Sequence, residues 1–245
     1  MVSIEPAAGQ KHSLENWNKV HLCGLLSIRF GLTRFLEITT TLTGYRYAEA
    51  LQLGFTQCMR IVYRLQDGVR DDLPMEFTSP NDDISTCLTE IRRRGITFNL
   101  IFVDPHHTYE CSLRDIMEAF ALLEPGGAMV IHDCRPPNKA TAAPHFVQGE
   151  WCGVTYKAFL DFVLGNPKLD YFTFDADYGC GVILKPRSLI DRIKNNLRAR
   201  SSLKLALDWR RLGNDFDAAF DKFKSNEEEL LRLTSFAALR TKLKN

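Results

Sequence analysis

Carboxylates and imidazoles gather at two places in this chain, each where a short apolar run stops. The first is Asn99–Glu110, in which Leu100–Val103 ends at Asp104-Pro105 and is followed by His106-His107-Thr108-Tyr109. The second follows the turn Glu124-Pro-Gly-Gly127, where Ala128–Ile131 ends at His132-Asp133-Cys134. Runs this short suit buried strands, and in an open α/β sheet the carboxyl ends of the strands line the ligand crevice. Asp104, His132 and Asp133 together make a divalent-metal set. Their oxygens suit Mg²⁺ or Mn²⁺, and the imidazole tilts the choice toward Mn²⁺, Fe²⁺ or Zn²⁺. His107 titrates near neutrality and suits a general base, above all toward a hydroxyl whose proton a cation has loosened. Plainer roles compete. The histidines can face solvent or cap the next helix, Asp133 can bond the Arg135-Pro-Pro turn, and Cys134 reads as a small buried filler.

The elements that must hold these residues follow from periodicity. Strands are expected at Arg34–Ile38, Met59–Tyr63, Met75–Thr78, Leu100–Val103, Ala128–Ile131, Tyr171–Phe174 and Gly181–Leu184. Helices are expected from Tyr45, from a cap within Ser79–Asp83 through Ile91, on the apolar positions Leu113, Ile116, Met117, Phe120 and Leu123, and from Gly153 to Leu164. The final two strands face each other across Asp175–Cys180 as a hairpin. This is an α/β chain: a doubly wound, Rossmann-like, seven-stranded sheet with an antiparallel last hairpin. Residues 1–30 read as an N-terminal arm and docking helix (Trp17, Leu22, Leu25, Leu26, Ile28), residues 31–186 as the sheet domain, and residues 187–245 as a tail of two or three helices.

Bulk properties narrow the class. The chain has 245 residues, 45% hydrophobic and 25% charged, with a net charge of +1, as an ordinary globular protein has. No apolar run spans a bilayer and no basic, apolar leader opens the sequence, so a cytoplasmic location is expected. Seven scattered cysteines without a Cys-x-x-Cys pair argue for reduced thiols rather than a disulfide scaffold or a zinc finger. From Arg187 onward 14 Lys/Arg face 8 Asp/Glu, so the tail is basic and the body mildly acidic. The tail reads as a packing element or a homo-oligomer contact. Glu227-Glu-Glu229 interrupts any basic surface for nucleic acid or membrane.

Asp104-Pro-His-His-Thr-Tyr109 and Pro125-Gly-Gly127…His132-Asp133, taken with the hairpin, resemble class I S-adenosylmethionine-dependent methyltransferases. The likeness is to the branch whose fourth strand ends Asp-Gly-x-His-Ser-Tyr and whose fifth ends Pro-Gly-Gly…His-Asp, and it spans roughly residues 33–185. That branch holds natural-product and sugar O-methyltransferases. The resemblance implies S-adenosyl-L-methionine as cofactor, a small-molecule hydroxyl as substrate, and a cation on Asp104 and Asp133 with His107 as base and Asp104 in the catalytic set. It further implies cofactor contacts from Glu37, Thr39, Thr40, Gly44, Asp82, Asp83, Asp104 and His106. Two positions depart from the family pattern. Thr39 stands where the first glycine of the nucleotide loop belongs, and Tyr63-Arg64 stands where an acid for the ribose hydroxyls belongs. Two other functions remain open on these residues: a methyltransferase-fold binding or assembly module without cofactor, and a metal-dependent enzyme of another reaction class.

Overall fold

The structure, a computed structural model, describes residues 18–40, 45–63, 77–79, 84–199, 203–235, 237–239 and 241. Helix α1 (Lys19–Phe30) precedes β1 (Arg34–Thr39), α2 (Tyr45–Leu51), β2 (Gln57–Tyr63) and β3 (Phe77–Ser79). Then come α3 (Ser85–Arg93), β4 (Phe98–Asp104), α4 (Tyr109–Leu122), β5 (Leu123–Ile131), α5 (Thr155–Gly165), β6 (Asp170–Phe174) and β7 (Cys180–Leu184). The tail holds α6 (Leu189–Ala199), α7 (Leu203–Arg210), α8 (Phe216–Ser225), α9 (Glu227–Leu231) and β8 (Leu233–Thr234).

The seven expected strands, the third described only from Phe77, join β8 in one mixed sheet of order β3-β2-β1-β4-β5-β7-β6-β8. Strands β1 to β5 run parallel, and β7 lies antiparallel to both β5 and β6. The register sets Thr39 beside Asp104 and Val103 beside Ile131, so the tips of β1, β4 and β5 end side by side. Continuous burial of β4 and β5 explains their unbroken Val/Ile/Leu runs: both faces are covered, one chiefly by α3, α4 and α5, the other by α1 and α2.

Several expectations need correction. The turn at Glu124–Gly127 is the irregular start of β5, where register shifts between Phe98 and Leu100 of its partner. A Cβ at Gly127 would lie 2.7 Å from the Asn99 carbonyl oxygen, so only glycine permits that close strand passage. Met117 is solvent-facing, and the buried line of α4 runs through Ser112, Asp115, Ile116, Ala119 and Leu122. Asp115 displaces the expected apolar stripe because the Tyr63 hydroxyl and the Arg114 guanidinium bind its carboxylate in the core. Helix α3 starts after Ile84, which offers no side-chain cap. Ile28 of α1 is exposed, while Leu22 and Leu26 are buried.

The tail contributes four described helices rather than two or three, and a strand that the sequence pattern hides. It packs on the body: Trp209, Phe220, Phe223, Leu230 and Leu231 join the main core, against Tyr156 and Tyr171. Trp209 Nε1 donates to Asp161 Oδ1 at 2.7 Å, and the Tyr171 hydroxyl donates to the Leu230 carbonyl at 3.1 Å. Arg135 reaches Glu227 at 2.8 Å, which places that acidic residue against the body.

Candidate active site at the strand tips

Asp104 is the last residue of β4, and His132 and Asp133 follow β5 directly, so sheet geometry alone brings them together. Asp133 has φ 59°, the left-handed region that Asp tolerates better than most residues. The next two amides explain the twist. Cys134 N donates to the Gly179 carbonyl (2.9 Å) and Arg135 N to the Tyr178 carbonyl (2.7 Å), so the β6–β7 hairpin turns the chain at Asp133. Cys134 is fully buried as expected of a filler, and burial pushes its thiol pKa up.

His107 comes from the loop between β4 and α4. Its Nδ1 meets the Trp151 carbonyl at 2.6 Å, which aims Nε2 at Asp133 Oδ2 (3.1 Å) and Asp104 Oδ1 (3.5 Å). The loop at Trp151 closes on it from above, with the indole against both His106 and His107. Gly153, at φ 57°, passes so close that a Cβ there would stand 2.0 Å from the His107 carbonyl oxygen. His106 donates its amide to the Tyr63 hydroxyl at 2.6 Å, so it belongs to the rim rather than to the acid cluster.

His132 Nδ1 lies 3.3 Å from Asp104 Oδ1 and 3.0 Å from Asp133 Oδ2, with Nε2 3.3 Å from Asp177 Oδ1. Sequence reasoning missed two members of this group. Asp177 sits in the hairpin turn, at φ 53°. Lys19 opens α1, and its ammonium stands 2.9 Å from Asp104 Oδ2 and 3.3 Å from His132 Nδ1. The Lys19 amide donates to Asp177 Oδ2 at 3.1 Å, which pins the first turn of α1 to the hairpin. No local pattern marks Lys19. Only the packing of Leu22 and Leu26 under the sheet, which fixes the axis of α1, delivers it.

Mutual charge sets the protonation of the cluster. Burial alone would raise the Asp104 pKa, but Lys19 and His132 hold it well below the usual carboxylate range. Burial disfavours charged imidazoles, yet Asp133 and Asp104 raise His132 well above its ordinary value, and the same two acids raise His107. Burial opposes ionisation of Asp177 as well, but His132 and Lys19 bring it down to about 2.

Glu37 is held away from this mouth. It lies buried below α1 and α2, 2.9 Å from the Arg60 guanidinium on the neighbouring strand, and burial pushes its pKa up to about 7 against that charge. Its salt-bridge partner is therefore Arg60. The void beside it, about 10 Å³ between Lys19, Cys23 and Phe102, admits nothing larger than a water. Thr39 is buried at the end of β1 and Thr40 half-buried after it. Gly44, Asp82 and Asp83 lie outside the described residues.

A sequence profile described as a methyltransferase domain matches residues 2–134, more than half of the chain. The chain belongs to the methyltransferase-domain family. The match runs from before α1 to the tip of β5 and so takes in Lys19, Asp104, His107, His132 and Asp133. This methyltransferase has the class I, S-adenosylmethionine-dependent architecture. Its fold is similar to that of the O-methyltransferase TomG from Streptomyces achromogenes, involved in tomaymycin synthesis and solved with SAM. That likeness is at 17% identity and TM-score 0.50 and covers 68% of this chain and 79% of that one. An O-methyltransferase from Bacillus cereus solved with SAH is similar at 14% identity and TM-score 0.48, over 70% and 82% of the two chains. No curated protein matches the sequence.

The spacing of the donors can be tested against a cation. Asp104, His107 and Asp133 each offer one ligand atom, all within 4.8 Å of one another. His132 Nδ1 keeps similar separations to the two acids. Two donors each about 2.1 Å from one ion at a right angle lie about 3 Å apart, so a divalent cation suits this spacing.

Proposed function

We propose that this chain is an S-adenosylmethionine-dependent O-methyltransferase of small molecules, with His107 as the base that deprotonates the acceptor hydroxyl. The single observation that carries this reading is the clamp on His107: the Trp151 carbonyl fixes one ring nitrogen and thereby turns the other toward Asp133 and Asp104. S-adenosylmethionine supplies the electrophilic methyl. The protein's residues do the rest. Neutral His107 takes the hydroxyl proton at Nε2 when the acceptor hydroxyl displaces that nitrogen's contact with the two acids, and Asp133 and Asp104 then stabilise the imidazolium that forms. Trp151, edge-on to His106 and tilted against His107, screens the pair from water. Holding acceptor oxygen and methyl in line contributes the larger part of the acceleration.

Donor spacing favours a second reading, in which Asp104, His107 and Asp133 hold Mg²⁺ or Mn²⁺ and the cation lowers the pKa of the hydroxyl. His107 then serves as ligand and cannot be the base in the same turnover. Calorimetric titration with S-adenosylmethionine and S-adenosylhomocysteine, each with and without Mn²⁺, tests both. Cofactor binding at micromolar to millimolar concentration, unaltered by chelator, supports the base reading, and binding or turnover that needs Mn²⁺ supports the second. Absence of cofactor binding under every condition removes the proposal.

A further inference from the structure

Helix α6 is built inside out. At about 100° per residue, Leu189, Ile190, Ile193 and Leu197 fall within one arc, and Asn195 falls opposite them. In a helix packed on a core the apolar arc faces inward. Here the buried residue is Asn195, whose amide donates to the Lys168 carbonyl at 3.0 Å, and the four aliphatic side chains are 53–70% exposed. Leu203 and Leu207 of α7 are exposed as well, while Trp209 anchors α7 to the body. Half of the twelve exposed large hydrophobic residues among those described lie on these two helices.

The charge of the tail is concentrated on the same stretch. Residues 187–211 contain eight Lys/Arg and two Asp/Glu, a net of +6, while residues 212–245 balance at six of each. The acidic run Glu227–Glu229 is thus in a different part of the tail, and Glu227 is spent on Arg135 and Lys224. Beside α6 opens a cavity of about 350 Å³ lined by Lys168, Lys185 and Arg192 together with Phe120, Asn166 and Pro186. It lies at the pole opposite the acid cluster: Lys185 follows Leu184, which pairs with Ala128 at the start of the parallel run, whereas Ile131 at the other end pairs with Gly181.

We infer that the outer face of α6 and α7 docks on an anionic membrane surface, with the neighbouring cationic cavity receiving a lipid phosphate headgroup. An aliphatic strip flanked by Lys and Arg is what a helix lying in the plane of a bilayer interface requires, and basic residues near it are drawn by acidic lipids. A second copy of this chain is disfavoured as occupant, because residues 187–211 carry a net charge of +6 and two such stretches repel. With α6 on the bilayer, the strand tips at the far pole stay open to a water-borne acceptor.

Flotation of the full chain with vesicles tests this. Binding is expected to vesicles of phosphatidylcholine with about 30% phosphatidylserine, and not to phosphatidylcholine alone, and to weaken as salt rises. I190S/I193S should reduce it about tenfold or more, and K168A/R192A by about fivefold per charge removed, with melting temperature and turnover of a soluble acceptor unchanged. No binding to acidic vesicles overturns the inference, as does binding that both double variants retain. A dimer in solution that I190S/I193S dissociates also overturns it, and assigns the face to a second copy.

Discussion

At the scale of single residues the acid cluster is a charge balance: three carboxylates (Asp104, Asp133, Asp177) against one ammonium (Lys19) and two imidazoles. His107 must be neutral to act as a base. Burial favours the neutral ring, but the hydrogen bond to Asp104 and the charge of Asp133 outweigh it and raise the pKa above 6.5. Turnover should therefore climb with pH and reach half its plateau above pH 6.5, and Asp133→Asn should move that midpoint down. His107→Gln should lower kcat by about 10²–10⁴ with the cofactor affinity retained. A kcat profile that stays flat across neutrality, or a fully active glutamine variant, would assign proton removal to another group.

At the scale of elements, the strand tips of β4 and β5 were legible because sheet position follows from pattern alone: buried runs ending in Asp104 and His132-Asp133 can only emerge at the crevice edge. The contributions of α1 and of the hairpin were not legible. Lys19 and Asp177 lie far from the cluster in sequence, and both depend on how a helix axis and a three-residue left-handed turn at Asp177, Tyr178 and Gly179 are set by distant packing. Lys19→Met tests the helix's role. It leaves Asp104 without its ammonium partner, and loss of one member of a buried pair costs about 3 kcal/mol. Thermal unfolding without metal should show that loss, and added Mn²⁺ should restore part of it if the acids can hold a cation. Identical melting of the two proteins would mean that Lys19 merely rests there.

At the scale of the whole molecule the sheet and its doubly wound order followed from the alternation of runs and amphipathic stretches, whereas the extent of the tail's embedding did not. The tail's apolar spacing shows helices, but nothing in it shows that Asp161 of α5 gathers Tyr109, Lys157 and Trp209 from three elements into one polar knot. That knot ties the tail to the body, so the two are expected to unfold as one cooperative unit. Trp209→Ala should destabilise the fold by about 3–5 kcal/mol, read from the denaturant midpoint as a single transition shifted in position. Two separated transitions would show that residues 187–245 unfold on their own.

The two-residue strand Leu233–Thr234 has a consequence for biosynthesis. It is the outer neighbour of β6, paired at Thr173 and Phe174, yet it is translated only after α6 to α9. On the ribosome, the aromatic strand Tyr171–Phe174 therefore waits with a bare hydrogen-bonding edge, the kind of edge that invites a neighbouring nascent chain, until residue 234 has emerged to cover it.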